Sequence, residues 1–484
     1  MSKAKVNYLY NVILTLSGYI INLAVFPYVS RVLGVEMMGR FGFVNNMVEY
    51  FTVFSLMGIG IIGVREIASS REGSDLRRNY SSLIGLLSVQ TAISLIVYVV
   101  AILTIPRFAH DRTLFAIGSI GLLSSSFLLE WFYQGMENFR FITVRSLAVK
   151  LAYVVSIFIF VRKPDDYGLY FLLTVAVTSI NALINILYSR RTVRFSLKDV
   201  SLKQFAKPDL SLGLYRIMVS MYTTFNLLYL GFVCTDIQTG YYFTATKIYA
   251  ILFGLYMAMA NVMMPRMSSL STVEHKDEFS EYISKSFDVV LSTVIPIAAG
   301  IFVMAPQIVQ LLSGDGYEGA ILPLRLIMPV LVITSLAQIW VLQVLIPRKM
   351  DDCVLISAFA GAVVGVLVNV LLDRKIGAAG PAIAMLCSEA VGNGISLTYA
   401  IRRKLVSFPL RLAVKLVAYN IPVVAICFLS SRLINSAAIA LLTAAFLSAL
   451  YLLLTFRTVF GNTYTAGCLE TFFGSIHHSR HDND

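Results

Sequence analysis

The sequence has little charge for its length. Only 14% of its 484 residues are Asp, Glu, Lys or Arg, whereas 57% are hydrophobic, and the mean hydropathy is +0.77. A soluble protein needs about 25% charged residues to cover its surface. The composition therefore excludes an ordinary soluble domain and indicates a chain that lies in a membrane.

Catalytic and cofactor motifs are also missing. The sequence contains no Gly-x-x-x-x-Gly-Lys-Ser/Thr loop, no His-Glu-x-x-His motif and no Ser-His-Asp arrangement. Its five cysteines stand singly, without a disulfide framework or a metal-binding spacing. Residues 314–319 match a dinucleotide-binding pattern by letter, but they follow an apolar run and no strand, so we interpret them as a turn.

We therefore expect no enzyme, no cofactor and no metal site. No polar segment is long enough to fold into a separate catalytic domain. Three histidines near the end of the chain could bind a metal, but we interpret them as incidental: His477, His478 and His481.

Apolar runs of about 20 residues recur along almost the whole chain, which is the length that a helix needs to cross a hydrocarbon layer about 30 Å thick. Strands of a membrane barrel would alternate in polarity, and no such pattern occurs. We predict an all-α polytopic membrane protein with about 14 transmembrane helices. The predicted spans are 9–28, 41–62, 82–105, 113–132, 142–161, 168–187, 213–233, 241–263, 287–312, 325–346, 354–372, 379–400, 412–431 and 436–455.

Basic residues are distributed unevenly around these spans. If the N-terminus is cytoplasmic and the spans alternate, the inside segments carry 24 lysines and arginines and the outside segments carry nine. Cytoplasmic loops of membrane proteins carry such an excess. We therefore predict that both termini lie in the cytoplasm. The net charge of +12 comes from these loops and from no single soluble face, so we exclude a nucleic-acid partner.

The first twelve spans form two similar halves, separated by a polar break at 189–208. Gly39-Arg40-Phe41 opens span 2, and Gly240-Tyr241-Tyr242 opens span 8. Halves of six spans give a parallel repeat, with two bundles around a central cavity. The predicted divisions are two six-helix bundles (1–205 and 206–405), two extra transmembrane helices (406–457) and a polar cytoplasmic tail (458–484).

Ionisable residues inside spans are costly, so they are candidates for function. The basic ones outnumber the acidic ones, which suits an anionic ligand such as a phosphate or diphosphate group. The basic residues inside spans are Arg145, Lys150, Arg216, Lys247, Arg325 and Lys415, and the acidic ones are Glu49, Glu130, Asp288 and Glu389. Polar stripes at helical spacing accompany them, for example Asn45 with Glu49 and Thr174 with Thr178, and together they favour an internal polar cavity.

Several short motifs follow one another in order between residues 7 and 405. They are Pro27-Tyr28-Val29-Ser30-Arg31-Val32-Leu33-Gly34, Gly39-Arg40-Phe41, Arg65-Glu66-Ile67-Ala68, Glu130-Trp131-Phe132-Tyr133-Gln134-Gly135 before Arg145, Gly240-Tyr241-Tyr242 with Pro265-Arg266, and Gly377-Ala378-Ala379-Gly380-Pro381-Ala382. Together they resemble bacterial polysaccharide flippases of the Wzx type, which belong to the multidrug/oligosaccharidyl-lipid/polysaccharide exporter superfamily. Pro381 departs from the family pattern, in which alanine is usual.

The resemblance implies a substrate and a site. The substrate would be an oligosaccharide repeat unit on an undecaprenyl diphosphate carrier, turned from the cytoplasmic to the outer leaflet of the bacterial inner membrane. We expect the anion to be bound by Arg145, Lys150, Arg216 and Lys247, with Arg31 and Arg325 as further candidates. We expect Glu49 and Glu130 to serve ion coupling or salt-bridge gating. A polysaccharide polymerase and glycosyltransferases are further candidate partners, beside the lipid bilayer itself.

Two other functions stay open at this point. An ion-coupled multidrug or small-molecule exporter of the same superfamily should favour acidic groups in its cavity, and this chain favours basic ones. A membrane polysaccharide polymerase or acyltransferase should have a larger outside loop or an acid–base cluster. Neighbouring genes for sugar nucleotides and glycosyltransferases would favour the flippase.

Overall fold

The computed structural model describes residues 3–71, 73, 75–270, 276–348 and 350–460. Most of the predicted tail, with its three histidines, lies outside the described residues. Within them there is no β-strand. The helices are α1 (Lys3–Leu56), α2 (Ile59–Ser70), α3 (Leu76–Thr104), α4 (Arg112–Ser126), α5 (Glu130–Gly135), α6 (Phe139–Phe160), α7 (Tyr167–Ser189), α8 (Leu202–Val233), α9 (Asp236–Leu270), α10 (Lys276–Ser313), α11 (Ile321–Trp340), α12 (Asp351–Ile376), α13 (Ala379–Arg402), α14 (Leu410–Tyr419), α15 (Ile421–Leu433) and α16 (Ala437–Phe460).

Ten segments of the described chain are long and apolar enough to cross a membrane, judged by length and composition. The first, Leu9–Leu56, has 48 residues and contains span 1 and most of span 2. Predicted spans 7, 8 and 12 lie on α8, α9 and α13, which are also long helices. The prediction of an all-helical polytopic membrane protein is thus confirmed.

Three of the predicted spans contain breaks that the sequence analysis did not predict. The chain leaves the helix at Met57 and Gly58, between α1 and α2, and again at residues 127–129, where Leu129 has a φ of 51°. A third break separates α14 from α15 at Asn420. Proline lacks a backbone N–H and is tolerated in the first turn of a helix, which accounts for Pro422 directly after this third break.

The segment between predicted spans 1 and 2, residues 29–40, is almost entirely helical. α1 runs through it, and its one residue with non-helical torsion angles is Gly34, with φ 75° and ψ 168°. Glycine adopts such angles without a steric penalty from a Cβ atom. The kink is therefore confined to one residue, and the charged residues around it are helical.

The chain divides into two units. Unit 1 consists of Met1–Phe243 and Gly365–Ala384, and unit 2 consists of Thr244–Val364 and Met385–Asp484. The four divisions predicted from the sequence, and the repeat between halves, stay predictions.

The core of unit 1 contains a group of aromatic side chains from α5. Trp131, Phe132 and Tyr133 are all at most 5% exposed. The ring of Trp131 covers Gly63 on α2, where a Cβ atom would lie only 2.5 Å from the ring. Because no larger residue fits there, Gly63 allows α2 to approach α5 closely, and the short helix α5 is fixed against the rest of the unit.

In unit 2, the last helices pack against α10. Met304 of α10 shares a buried cluster with Val423 and Cys427 of α15 and with Ala440 and Ala444 of α16. The predicted extra spans 13 and 14 are thus integrated into the second unit by apolar packing.

Candidate functional site

A polar cavity of about 290 Å³ lies within unit 1. Side chains of α1, α4, α7 and α8 line it. The polar members are Asn45, Glu49, Thr52, Ser125, Thr174, Thr178 and Arg216, and the apolar members include Val48, Val53, Leu56, Phe171 and Val175. Two residues predicted for the site, Glu49 and Arg216, therefore line the same cavity.

Helical spacing explains why these polar residues share one face. Residues four positions apart lie one above the other on a helix. Asn45 and Glu49 are such a pair on α1, and the Asn45 amide donates a hydrogen bond of 2.8 Å to Glu49 Oε1. Thr174 and Thr178 form the equivalent pair on α7. Two polar stripes found in the sequence thus line the same space.

Arg216 reaches the break between α1 and α2. Its Nη1 donates to the Met57 carbonyl oxygen at 3.4 Å. Carbonyl groups at the end of a helix have no partner within the helix, so an arginine there stabilises the break. Among the described residues no carboxylate lies within ion-pair distance of Arg216. Since a guanidinium has five N–H donors, most of its donor capacity remains for an anion.

Arg145, Lys150 and Glu130 form a second group around α6. Arg145 is 6% exposed and donates hydrogen bonds to Asn185 Oδ1 and, at 2.8 Å, to Ser146 Oγ. Its Nη2 lies 3.6 Å from Glu130 Oε1, which makes an ion pair. The guanidinium also lies 5.9 Å from the centre of the Phe141 ring. Protein groups thus already occupy much of Arg145.

Lys150 lies on the same helix and contacts α1. Its Nζ donates to Ser17 Oγ at 3.2 Å. Lys150 is half-buried, and no carboxylate within the described part of the chain lies within ion-pair distance of it.

The other predicted site residues lie elsewhere. Arg31 is exposed on α1 and does not line the cavity. Lys247 and Arg325 belong to unit 2. Lys247 is half-buried on α9, while Arg325 Nε donates to the Phe302 carbonyl oxygen at 3.0 Å and its guanidinium lies 5.8 Å from the centre of the Phe302 ring. The role assigned to each of these residues stays a prediction.

Sequence reasoning missed a charged cluster in unit 1, which we call the Asp236 cluster and which consists of Arg40, Arg107 and Asp236. Arg40 Nε lies 3.2 Å from Asp236 Oδ2, and Arg107 pairs with Asp236 Oδ1. The carboxylate thus joins α1 and the segment before α4 to the first turn of α9. Both arginines are among the nine basic residues predicted to lie outside, and Gly39 and Gly240 were the signal of a close helix contact.

These glycines bring α1 and α9 together at that cluster. A Cβ atom on Gly39 would overlap the Asp236 carbonyl oxygen, and one on Gly240 would overlap the Val35 carbonyl oxygen. The backbones therefore approach more closely than side chains would allow, and this proximity places Asp236 between its two arginines.

Comparison with known proteins identifies the class of this many-helix membrane protein. Residues 5–271 match the family model described as "Polysaccharide biosynthesis protein". This is more than half of the chain, so the chain belongs to that family. Membership confirms the resemblance to Wzx-type flippases that the sequence motifs indicated.

Two relatives carry the name "Putative O-antigen transporter". The protein of Escherichia coli (strain K12) is 25% identical over 411 residues, which cover 82% of this chain and 97% of the relative. The protein of Shigella dysenteriae is 24% identical over 387 residues, covering 78% and 94%.

Among solved structures, the fold is similar to that of the lipid II flippase MurJ in an inward closed conformation. The TM-score is 0.76 at 16% identity, and the match covers 93% of this chain and 99% of the other. At this identity the similarity concerns the fold.

Proposed function

We propose that the protein is a flippase for a lipid-linked oligosaccharide. It would turn a repeat unit on an undecaprenyl diphosphate carrier from the cytoplasmic to the outer leaflet of the bacterial inner membrane, for surface polysaccharide synthesis. Its membership of the polysaccharide biosynthesis family and the names of its two relatives support this proposal. The observation that carries it is the polar cavity that Arg216 lines together with side chains of α1, α4 and α7.

A sugar headgroup needs such a cavity to cross the membrane. Moving a hydroxyl group from water into an apolar medium without a hydrogen bond costs roughly 2–7 kcal/mol. A repeat unit with many hydroxyls therefore does not cross hydrocarbon unaided. The amide, hydroxyl and carboxylate groups of the cavity, such as Asn45, Thr174 and Glu49, can replace part of the lost hydration.

Arg216 is the strongest candidate for the carrier's diphosphate. Its guanidinium faces the cavity without a carboxylate partner in the described residues, and arginine binds phosphate oxygens in pairs. Lys150 offers a second cation. Arg145, Lys247, Arg31 and Arg325 complete the proposed anion-binding set, in which Arg145 would have to exchange some of its protein contacts for the substrate.

The two acidic residues, Glu130 and Glu49, would have roles other than anion binding. Glu130 already pairs with Arg145, so we propose that this ion pair gates access to Arg145. Glu49 lines the cavity and is exposed to it, which suits the coupling of an ion to transport. Alternating access with both termini in the cytoplasm would complete the cycle.

The proposal can be tested in cells whose own copy of this chain has been deleted. Arg216→Gln keeps a polar side chain of similar length but removes the charge. Hydrogen bonds to charged groups contribute about 1.5–3 kcal/mol, so we expect a roughly 10- to 100-fold drop in surface polysaccharide, measured at equal protein level in the membrane.

The matched control is Arg374→Gln, because Arg374 is exposed at the end of α12 and does not line the cavity. It should restore the polysaccharide as fully as the unchanged chain. Equal restoration by both variants would contradict the anion role of Arg216.

A further inference from the structure

A second and larger cleft, of about 1000 Å³, opens in unit 1 where α7 ends. Its walls come from α3, from the break between α4 and α5, and from the chain that follows α7. The lining residues are Tyr80, Ile84, Phe127, Leu129, Ile186 and residues 189–195. We call it the arginine cleft, because Arg190, Arg191 and Arg194 belong to this lining.

The chain that carries these arginines is held firmly in position. The backbone N–H groups of Thr192 and Val193 donate to the Ser189 carbonyl oxygen at 2.9 and 2.8 Å. The Ser189 hydroxyl lies 3.1 Å from the Tyr80 hydroxyl of α3. Val193 is buried in the aromatic core of the unit. The cleft is therefore a built feature of the fold, with a fixed backbone between exposed arginines.

The three arginines have no acidic partner within the described residues. Arg191 lies 5.6 Å from the centre of the Tyr188 ring, which is a cation–π contact and leaves its charge uncompensated. The nearby Asp199 is already taken, since its carboxylate lies 3.1 Å from Arg77 Nε. Three like charges around one cleft repel each other, and a bound anion would relieve that repulsion.

The remaining wall of the cleft is apolar. Ile84, Phe127 and Ile186 are only partly exposed. Ile186 belongs to the last turn of α7, whose apolar stretch Pro164–Ser189 is a candidate membrane span. The cleft thus combines a cationic edge with an apolar wall at the level where a membrane span ends. Basic pockets between helices on the cytoplasmic side bind anionic lipid headgroups in membrane proteins.

We propose that the arginine cleft binds the phosphate-bearing headgroup of a membrane lipid at the cytoplasmic surface, with Arg190, Arg191 and Arg194 as its ligands. Arginine suits this task, because its planar guanidinium forms paired hydrogen bonds with phosphate oxygens. The phosphate can belong to an anionic phospholipid or to an isoprenyl diphosphate carrier. In the second case the cleft would hold the carrier before it enters transport, and only that assignment rests on the proposed flippase function.

Binding can be measured by native mass spectrometry of the full chain in detergent micelles. The probes are phosphatidylglycerol, farnesyl diphosphate, inorganic diphosphate and, as an uncharged reference, phosphatidylcholine. The test variant combines Arg190→Gln, Arg191→Gln and Arg194→Gln. Its control combines Lys198→Gln, Lys203→Gln and Lys207→Gln, which removes the same charge from exposed residues of the following chain that do not line the cleft.

We expect the arginine variant to bind the preferred phosphate lipid at least tenfold more weakly than the lysine control, with phosphatidylcholine unchanged. Preference for farnesyl diphosphate would assign the cleft to the carrier, and preference for phosphatidylglycerol would assign it to a phospholipid. Equal binding by the two variants would overturn the proposal, and so would inorganic diphosphate binding as tightly as either lipid.

A third variant keeps the result interpretable if the glutamines disturb folding. Changing all three arginines to lysine retains the charge but loses the paired hydrogen-bond geometry. The affinity of this variant for the phosphate lipid should lie between that of the Arg→Gln variant and that of the Lys→Gln control. The assay reads occupancy without transport. It can therefore fail while the flippase function holds, and it can succeed if that function is wrong.

Discussion

Two buried aspartates of unit 1 differ in their hydrogen bonding. Asp209 Oδ1 accepts the Gly58 backbone N–H at 2.9 Å, and its other oxygen accepts a hydrogen bond from Gln90. It thereby supports the N-terminus of α2, where a negative charge is favourable. Asp373 is fully buried, and neither of its carboxylate oxygens has a hydrogen-bond partner among the described residues.

The two residues should therefore respond differently to the same change. Asp209→Asn weakens bonds to a helix end and should cost about 1–3 kcal/mol of unfolding free energy. Asp373→Asn replaces a buried carboxyl group that has no partner by an uncharged group of the same shape and breaks no bond, so it should cost nothing or stabilise the protein. Thermal unfolding in detergent measures both, and an equal fall in midpoint for the two variants would refute this explanation.

At the residue scale, the sequence predicted site residues only where placing the residue in an apolar run is energetically costly. Glu49 and Arg216 stand out because an ionisable group inside an apolar run is expensive. Asp236 begins α9, and Asp209 lies in α8 just before the predicted span that starts at residue 213, so neither stands out as a charge inside an apolar run. Their importance comes from contacts with residues far away in the chain. Arg40 and Asp236, for example, are 196 positions apart. No local pattern carries that information.

Among the elements, the apolar runs predicted where the helices lie, because length and hydropathy decide which segments can cross a membrane. The breaks within them were not predictable in the same way. Met57 and Leu129 have φ values of 36° and 51°, which cost energy in residues with side chains. The surrounding contacts stabilise these angles, such as the support of Gly58 by Asp209, and they form only in the folded molecule.

The close contact between helices α1 and α9 can be tested by substituting Gly39. Gly39→Ala would drive a Cβ atom into the backbone at Asp236, so it should separate the two helices and disturb the Asp236 cluster. Overpacking costs typically 1–3 kcal/mol, and a clash with backbone belongs at the upper end. Thermal unfolding in detergent should show a clear loss of stability.

Gly394→Ala is the matched control, since a Cβ atom at Gly394 in α13 would meet nothing within 4 Å. Alanine is favoured over glycine in a helix by up to about 1 kcal/mol, so this variant should be neutral or slightly more stable. A destabilisation as large as that of Gly39→Ala would contradict the assignment of the effect to helix contact.

For the whole molecule, composition and motif order predicted the class and the family, since both depend on features spread along the chain. The repeat between halves, the cytoplasmic termini and the four divisions stay predictions. They concern how distant segments are arranged in the bilayer, which hydropathy does not encode. The candidate cavity could be predicted in part. Its polar stripes were visible in the sequence as helical spacing, but only the fold shows that they meet beside Arg216.

The central claim is that this chain moves a lipid-linked oligosaccharide between leaflets. The most direct measurement reconstitutes the full chain in liposomes that contain an oligosaccharide on an isoprenyl diphosphate carrier, with a fluorophore on the sugar. A membrane-impermeant reductant then bleaches every label that reaches the outer leaflet. We predict that nearly all fluorescence is lost with the unchanged chain and that the loss is much slower with Arg216→Gln. If the inner-leaflet half stays protected in vesicles that hold the unchanged, folded chain, the proposed function is wrong.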